Sequence, residues 1–305
     1  MSAPVPERTR TDPTRVAVAL DLSGLRPGPA GTSGVVADAI AALLRAEPGV
    51  DLVLVGPEQD AGPADRAAAA AAAGDRLGHV RSGAAADPAD PDRAVRSRLD
   101  VPTRVGAARV AAGAVDVLVS AATPAVALAA ARVALPALPG AGRPVLAAAV
   151  AVPGSPRPAV VGDVGGEVHP DVDTVAAVVG AAARSLAGPD ARVRPLLGEG
   201  PHPVGARALL DGAVDGLVAD GRSGAVLLDA LTAAAAVHVL GLVVLGRSGP
   251  VVVAEPSVEQ LCAAVGLAAR LVRGGVVDAC TTELAAVVRA RRVAAGLPSV
   301  PGGPR

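Results

Sequence analysis

The chain has 305 residues, a formal net charge of −1 and no phenylalanine, tyrosine or tryptophan. That length is enough to bury a sizeable core, and the near-neutral charge without a large basic patch argues against a nucleic-acid-binding protein. The two cysteines, Cys262 and Cys280, lack the spacing of a zinc site or a disulfide framework. We therefore expect a cytoplasmic protein with no metal and no other cofactor.

Taken in order, the chain alternates short apolar runs with helical patterns. Strands are predicted at 15–20, 51–55, 79–80, 145–152, 159–161, 242–245 and 251–254. Helices are predicted at 34–45, 64–73, 93–99, 103–112, 172–186, 204–210, 257–273 and 281–295. Two further segments, 115–131 and 214–234, each read as strand, turn and helix. This order predicts a three-layer α/β/α, Rossmann-like protein with a mixed, largely parallel sheet.

We expect one domain over residues 15–297, because no clear linker interrupts it. Residues 1–14 and 298–305 are expected to be disordered tails. The amino-terminal tail has no apolar h-region, so no signal peptide is predicted.

The segment 214–234 is the strongest candidate for a site. A short apolar run is broken by Asp220-Gly221, and good helix formers follow. In an open α/β sheet, ligands bind beyond the carboxyl ends of the strands, and the free N–H groups of a helix N-terminus suit an anion. Gly221, Ser223 and Gly224 are therefore predicted to cradle a phosphate. The segment 115–131 repeats this plan, with Ser120 to Thr123 in the turn and Pro124 at the first helical position.

Other loops carry residues that could do chemistry. Glycine-rich loops occur at 162–166 and 198–205, although such turns are also ordinary in α/β proteins. His169 and His202 lie in loops and could act as general acid or base, whereas His79 and His238 lie in apolar stretches and are expected to be satisfied core residues. Acidic residues that follow apolar runs could hold a metal, transfer protons or simply cap helices; they are Asp21, Asp163, Glu199 and Asp220.

Seven short motifs in series resemble the PlsX-type phosphate acyltransferases of phospholipid synthesis, from about residue 15 to residue 290. They are VALDLSGLRPGP from Val18, AVRSRLD from Ala94, VDVLVSAATPAV from Val115, GRPVLAAAV from Gly142, DVGGEV from Asp163, VDGLVADGRSG from Val214 and LGRSGPVVVA from Leu245. The resemblance implies a fold similar to phosphotransacetylases. It also implies conversion of acyl-[acyl carrier protein] and inorganic phosphate into acyl phosphate.

The resemblance also implies a set of site residues. Those matching the family's motifs as substrate-binding positions are Asp21, Gly24, Arg96, Arg98, Ser120, Asp163, Gly165, Gly198, Glu199, Gly221 and Gly224. Thr123 and Ser223, which lie in the same loops, are also predicted to bind substrate. Arg96 or Arg98 would attract phosphate or a phosphopantetheine. Proton transfer is assigned to His169, with Asp220 as the second catalytic residue.

The chain also departs from the family pattern. Glu167 stands where the family has asparagine, Asp229 stands where it has lysine, and the family's long helical arm is missing between Ala234 and Leu245. Because that arm serves dimerisation and membrane contact in the family, the sequence leaves a homodimer open and argues against membrane contact. An alternative function is that of a catalytically inactive paralogue that binds an acyl carrier protein or another partner. A Rossmann-like oxidoreductase would need a dinucleotide fingerprint, which the sequence lacks.

Overall fold

The structure is a computed structural model, and it describes residues 14–25, 31–165, 171–196 and 204–296. Apart from Thr14, the predicted tails 1–14 and 298–305 lie outside these residues. The chain divides into two compact units. The first comprises Met1–Pro136, Leu240–Val244 and Ser248–Arg273, and the second comprises Ala137–Val239, Leu245–Arg247 and Gly274–Arg305. That residues 15–297 form one domain stays a prediction.

Strands and helices alternate along the described residues. The strands are β1 Val16–Asp21, β2 Val50–Gly56, β3 Leu77–Arg81, β4 Val117–Ser120, β5 Val145–Ala151, β6 Ala159–Gly162, β7 Val193–Pro195, β8 Gly216–Val218, β9 His238–Leu245 and β10 Val251–Val253. The helices are α1 Gly31–Ala46, α2 Ala61–Ala70, α3 Pro91–Ser97, α4 Pro102–Ala111, α5 Pro124–Ala134, α6 Val172–Ala187, α7 Arg207–Leu210, α8 Gly221–Ala233, α9 Val258–Arg273 and α10 Val276–Ala294. The predicted α/β class with a mixed, mostly parallel sheet is confirmed.

In the first unit the strand order is β3-β2-β1-β4-β10-β9. All pairs are parallel except β9 with β10. The chain moves outward from β1 to β3 and then returns to β4 on the other side of β1. Because such crossovers are right-handed, α1 lies on one face of the sheet and α4 on the other. The carboxyl ends of β1 and β4 therefore form a topological switch point, where α/β proteins open a crevice.

In the second unit the order is β5-β6-β8-β7. The proline-rich turn 153–158 predicts a hairpin between its flanking strands, and this is confirmed, since β5 and β6 pair antiparallel. Strands β6, β8 and β7 pair in parallel. Helix α6 packs on these strands and against α10. Its face toward the sheet is made of small and β-branched residues, among them Val175, Val179 and Ala183. This composition lets the helix lie close to the sheet without any aromatic side chain.

A buried arginine, Arg76, connects two elements of the first unit by hydrogen bonds. The Arg76 guanidinium donates hydrogen bonds to the carbonyl oxygens of Leu44 at 3.0 Å, Glu47 at 2.7 Å and Val50 at 3.1 Å. The first two carbonyls lie at the end of α1, where helical carbonyls lack partners within the helix. Arg76 therefore ties the end of α1 to the start of β2.

Three boundaries differ from the sequence prediction. The helix predicted over 204–210 is the single turn α7, and the closing helix α10 begins at Val276 rather than near 281. Strand β9 begins at His238 rather than at Leu242. His238 is exposed, so its prediction as a core residue is wrong.

Among the described helices, none is by itself long and apolar enough to cross a membrane. The consecutive helices α9 and α10 meet that test only together, as a bent pair, on length and composition.

Candidate functional site

The switch point of the first unit holds a buried carboxylate. Asp21 ends β1, Ser120 ends β4, and the two residues are direct partners in the sheet register. One oxygen of Asp21 accepts hydrogen bonds from the hydroxyls of Ser120 at 2.8 Å and Thr103 at 2.6 Å. The other oxygen accepts from the Ser23 backbone N–H at 2.9 Å. Because Thr103 belongs to the first turn of α4, this cluster joins two strands and a helix.

The cluster is closed to solvent. Asp21 and Ser120 are fully buried, and Thr103 is 1% exposed. The loop after β1 also covers it, since a Cβ on Gly24 would overlap the carbonyl oxygen of Ala121. These residues therefore lie buried at the carboxyl ends of β1 and β4 and fix the positions of the two strand ends. Direct substrate binding by Asp21, Gly24 and Ser120 stays a prediction.

The other predicted residues of the first unit are more accessible. Arg96 is exposed and lies 3.8 Å from Asp92 in a surface ion pair, whose stabilising effect is small. Arg98 donates to the carbonyl oxygens of Ala84 at 2.9 Å and Ala85 at 3.2 Å, so it holds the loop before α3. Thr123 is exposed at the N-cap of α5. Of the two arginines, Arg96 is the freer to meet an anion.

In the second unit, Asp163 organises the loop after β6. Its carboxylate accepts hydrogen bonds from the backbone N–H groups of Gly165 at 2.8 Å and Leu146 at 3.3 Å. Its own N–H donates to the carbonyl oxygen of Ala219, just after β8. Asp163 is buried, so its carboxylate binds the loop to β5 rather than facing solvent.

Asp220 caps the helix that the sequence predicted as a phosphate cradle. One carboxylate oxygen accepts from the N–H groups of Arg222 at 2.9 Å and Ser223 at 3.0 Å. The other accepts from the Ser223 hydroxyl at 2.8 Å. The N–H of Ser223, one of the three predicted cradle residues, and the N–H of Arg222 are therefore already bound by the protein's own carboxylate, as in an ordinary N-cap.

Gly224 brings these two loops together. A Cβ at this position would overlap the carbonyl oxygen of Asp163, so only glycine lets the first turn of α8 approach so closely. Strands β6 and β8 are parallel neighbours, with Gly162 opposite Val218. The carboxyl ends of these strands thus gather Asp163, Gly165, Asp220 and Ser223 at one edge of the sheet. We take this cluster as the candidate site. The sequence predicts such a gathering for Asp21, Asp163, Glu199 and Asp220, of which Asp21 belongs to the first unit and Glu199 lies outside the described residues.

Three predicted site residues, His169, Gly198 and Glu199, lie outside the described residues, as do Glu167 and His202. Asp171 follows directly after 166–170 and caps α6. Burial would raise the pKa of Asp171, but hydrogen bonds from Arg291 and Thr174 outweigh it and lower that pKa to about 2. Asp229 is exposed on α8.

Thr103 and Asp60 are buried polar residues that the sequence analysis did not single out. The position of Thr103 beside Pro102 indicates the start of a helix. No local pattern indicates the hydrogen bond from Thr103 to Asp21. Asp60 lies at the N-cap position of α2, but its side chain makes no capping hydrogen bond. The residue is buried, with an exposure of 6%. Burial raises the pKa of Asp60, while nearby His79 lowers it.

Asp60 Oδ1 and His79 Nε2 are buried without a hydrogen-bond partner among the described residues. His79 is therefore not the satisfied core residue that was expected. Within the same residues, no group of three or more histidine, cysteine, aspartate or glutamate side chains suits a metal ion.

Comparisons with solved structures find the same fold in phosphotransacylases. A phosphotransacetylase from Streptococcus pyogenes matches with a TM-score of 0.60 and 14% identity, over 85% of this chain and 94% of that one. The EutD phosphotransacetylase from Staphylococcus aureus matches with a TM-score of 0.54 and 14% identity, over 85% and 94%. A branched-chain phosphotransacylase from Enterococcus faecalis matches with a TM-score of 0.53 and 15% identity, over 84% and 99%.

No family model matches the chain. No curated protein matches it either. At this level of identity, the structural matches establish the fold alone. The expected similarity in fold to phosphotransacetylases is confirmed, whereas the PlsX-type assignment stays a prediction.

Proposed function

We propose that this protein is a phosphate acyltransferase, which transfers an acyl group from acyl-[acyl carrier protein] to inorganic phosphate and releases acyl phosphate. The observation that carries the proposal is the convergence of Asp163, Gly165 and the first turn of α8 at the carboxyl ends of β6 and β8. In α/β proteins this edge is where ligands bind. The fold shared with phosphotransacylases also supports a function in acyl transfer to phosphate.

The proposed reaction needs a bound phosphate and a proton acceptor. A phosphate oxygen adds to the thioester carbonyl carbon, the new C–O bond forms, and the C–S bond breaks. The proton that the phosphate gives up passes to Asp220 and then to the departing thiolate, which leaves as the carrier's thiol. The N-terminus of α8 favours the anion through its aligned peptide dipoles.

Asp220 is the half-exposed carboxylate at the N-cap of α8, and its negative charge is partly balanced. Three donors from Arg222 and Ser223 surround its carboxylate, so a phosphate nearby meets less repulsion than beside a bare carboxylate. The site remains half-exposed at Asp220 and Ser223. His169 is the second candidate for the proton transfer, and Arg96 for attracting the phosphate of a phosphopantetheine.

A second candidate function is that of an inactive paralogue that binds an acyl carrier protein. One observation favours it: Asp220 occupies two N–H groups that would otherwise hold the phosphate. The two functions predict different results when the acylated carrier is mixed with phosphate. An inactive protein would bind the carrier without any phosphate-dependent release of thiol.

The test compares two isosteric variants in the second unit. Asp220→Asn keeps a capping oxygen but removes the proton acceptor, so acyl phosphate formation should fall about 100-fold or more. Asp190→Asn changes an exposed aspartate in the turn after α6 and should leave the rate unchanged within about twofold. Equal rates in the two variants would remove Asp220 from the mechanism, and binding of the carrier without turnover in the wild type would favour the inactive paralogue.

A further inference from the structure

The candidate site of the second unit places an arginine beside a carboxylate. Asp220 is the N-cap of α8, and Arg222 follows two residues later in the first turn of the helix. The Arg222 side chain is exposed and forms no ion pair or side-chain hydrogen bond within the part of the chain that the structure describes. Residues 162–165 and 219–224, which build the site, contain no other basic residue. Arg222 therefore supplies the positive charge of these two segments.

The side chain of Arg222 begins close to the Asp220 carboxylate. One oxygen of that carboxylate accepts hydrogen bonds from the backbone N–H groups of Arg222 at 2.9 Å and Ser223 at 3.0 Å. In a helix each Cα–Cβ bond is tilted toward the N-terminus, so the Arg222 side chain leaves the backbone toward this end of α8. Because helical Cα atoms lie only about 2.3 Å from the helix axis, an extended arginine in the first turn reaches across the helix end. The guanidinium can therefore contact an anion bound beside Asp220.

The position of Arg222 is unfavourable for an arginine with a purely structural role. The N-terminus of a helix carries a partial positive charge, which repels a cation in the first turn. Other exposed arginines of the second unit gain a partner: Arg157 and Arg192 form ion pairs with Asp215 at 3.8 Å and 3.7 Å. A residue that breaks a local rule without a structural gain is typical of a functional site. This position therefore suits a cation that binds an anionic ligand.

We propose that Arg222 binds the inorganic phosphate substrate and holds it beside Asp220. This inference rests on the proposed function. Since Asp220 already binds the N–H groups of Arg222 and Ser223, the phosphate needs a donor from a side chain. A guanidinium offers two parallel N–H donors that match the geometry of a phosphate. Its positive charge also offsets the repulsion between the phosphate and the Asp220 carboxylate.

The first test measures acyl phosphate formation by the full-length chain while the phosphate concentration is varied at saturating acyl-[acyl carrier protein]. Arg222→Gln should raise the KM for phosphate about tenfold or more, because a charge-assisted contact is lost. The KM for the acylated carrier, measured at saturating phosphate, should stay the same. Arg222→Lys keeps the charge and should recover part of the affinity for phosphate. The control Arg289→Gln removes an exposed arginine of α10 and should leave both constants unchanged.

The second test needs no turnover. It measures how far inorganic phosphate raises the melting temperature of the protein, compared with sodium chloride at the same ionic strength. The wild type and Arg289→Gln should show this rise, and Arg222→Gln should lose it. Without phosphate, Arg222→Gln should melt no lower than the wild type, because a cation is removed from the first turn of α8. That result separates a lost binding contact from a folding defect.

The two tests distinguish failure of this inference from failure of the proposed function. Stabilisation by phosphate that depends on Arg222, without acyl phosphate formation, would support the binding role and contradict only the proposed activity. Acyl phosphate formation with an unchanged KM for phosphate in Arg222→Gln would overturn the inference and leave the activity standing. A rise in the KM for the carrier alone would overturn it too, since Arg222 would then bind the phosphate of the carrier's phosphopantetheine. A wild-type protein that phosphate does not stabilise would equally overturn it.

Discussion

Asp21 and Ser120 lie opposite each other at the carboxyl ends of the parallel strands β1 and β4, and the Ser120 hydroxyl donates a 2.8 Å hydrogen bond to the Asp21 carboxylate. Both side chains are completely buried. Ninety-nine positions separate them in the chain. This pair therefore fixes the relative position of two strands at the switch point of the first unit.

Removing the serine hydroxyl should destabilise the protein. Ser120→Ala leaves a buried carboxylate with one donor fewer, and we expect a loss of about 1–3 kcal/mol in the free energy of unfolding. Thr123→Ala is the matched control, because Thr123 is exposed and makes no capping bond to its helix among the described residues. Urea denaturation of both variants checks this, and equal midpoints would contradict it.

The close contact of α8 with the loop after β6 predicts a second stability effect. Gly224→Ala places a methyl group against the Asp163 carbonyl oxygen, and forcing the two apart should cost about 1–3 kcal/mol. Gly205→Ala adds the same methyl group where no atom of the described residues lies within 4 Å, so its cost should be small. Thermal unfolding of the two variants distinguishes them; a Gly224 variant as stable as the Gly205 variant would show that α8 does not pack in this way.

The buried Asp60 predicts a stability difference that depends on pH. Because burial raises the pKa of Asp60 in the folded protein, the neutral carboxyl is favoured there. The stability it contributes is complete below the unfolded value of 3.8 and is lost as the pH rises through the folded pKa. Asp60→Asn removes that loss and should raise the free energy of unfolding at neutral pH, with little gain below pH 3.8.

The control for Asp60 is Asp65→Asn, which alters an exposed carboxyl on α2. It should change the free energy of unfolding equally at both pH values, and by little. A lower free energy of unfolding for Asp60→Asn at neutral pH would contradict the prediction, because it would mean that the ionised carboxylate makes a stabilising interaction in the folded protein.

The two cysteines should differ in reactivity. Burial raises the pKa of the Cys280 thiol to about 12, so almost no thiolate is present at neutral pH. Cys262 is only half-buried, although burial and Glu47 also raise its pKa. A thiol-labelling time course read by mass spectrometry should modify Cys280 only after unfolding. If Cys280 in the folded protein were labelled as fast as Cys262, the predicted protection of Cys280 would be wrong.

Local patterns in the sequence predicted most elements correctly. Thr123-Pro124 marks the start of α5, and Asp220-Gly221 marks the start of α8, because capping and proline preferences act within one turn of helix. The β5–β6 hairpin followed from the proline-rich turn between two apolar runs. The gathering of Asp163 and Asp220 at one edge followed from the rule that parallel strands share a carboxyl end.

What the sequence could not predict depends on distant partners. The sequence predicted β9 only from Leu242, where the strand pairs with β10, because the alanine-rich stretch before His238 favours a helix locally. Likewise, Asp60 would ordinarily cap α2, but its side chain is buried and its pKa responds to His79 on β3. By contrast, the capping of α8 by Asp220 is local, and it is one of the alternatives that the sequence left open.

The most direct test of the central claim is transfer of radiolabelled inorganic phosphate into acyl phosphate by the purified protein, with a long-chain acyl-[acyl carrier protein] as donor. A competent phosphate acyltransferase serves as the assay control. The account predicts labelled acyl phosphate together with release of an equal amount of carrier thiol. Release of no thiol and no labelled product by folded protein would contradict the proposed acyl transfer.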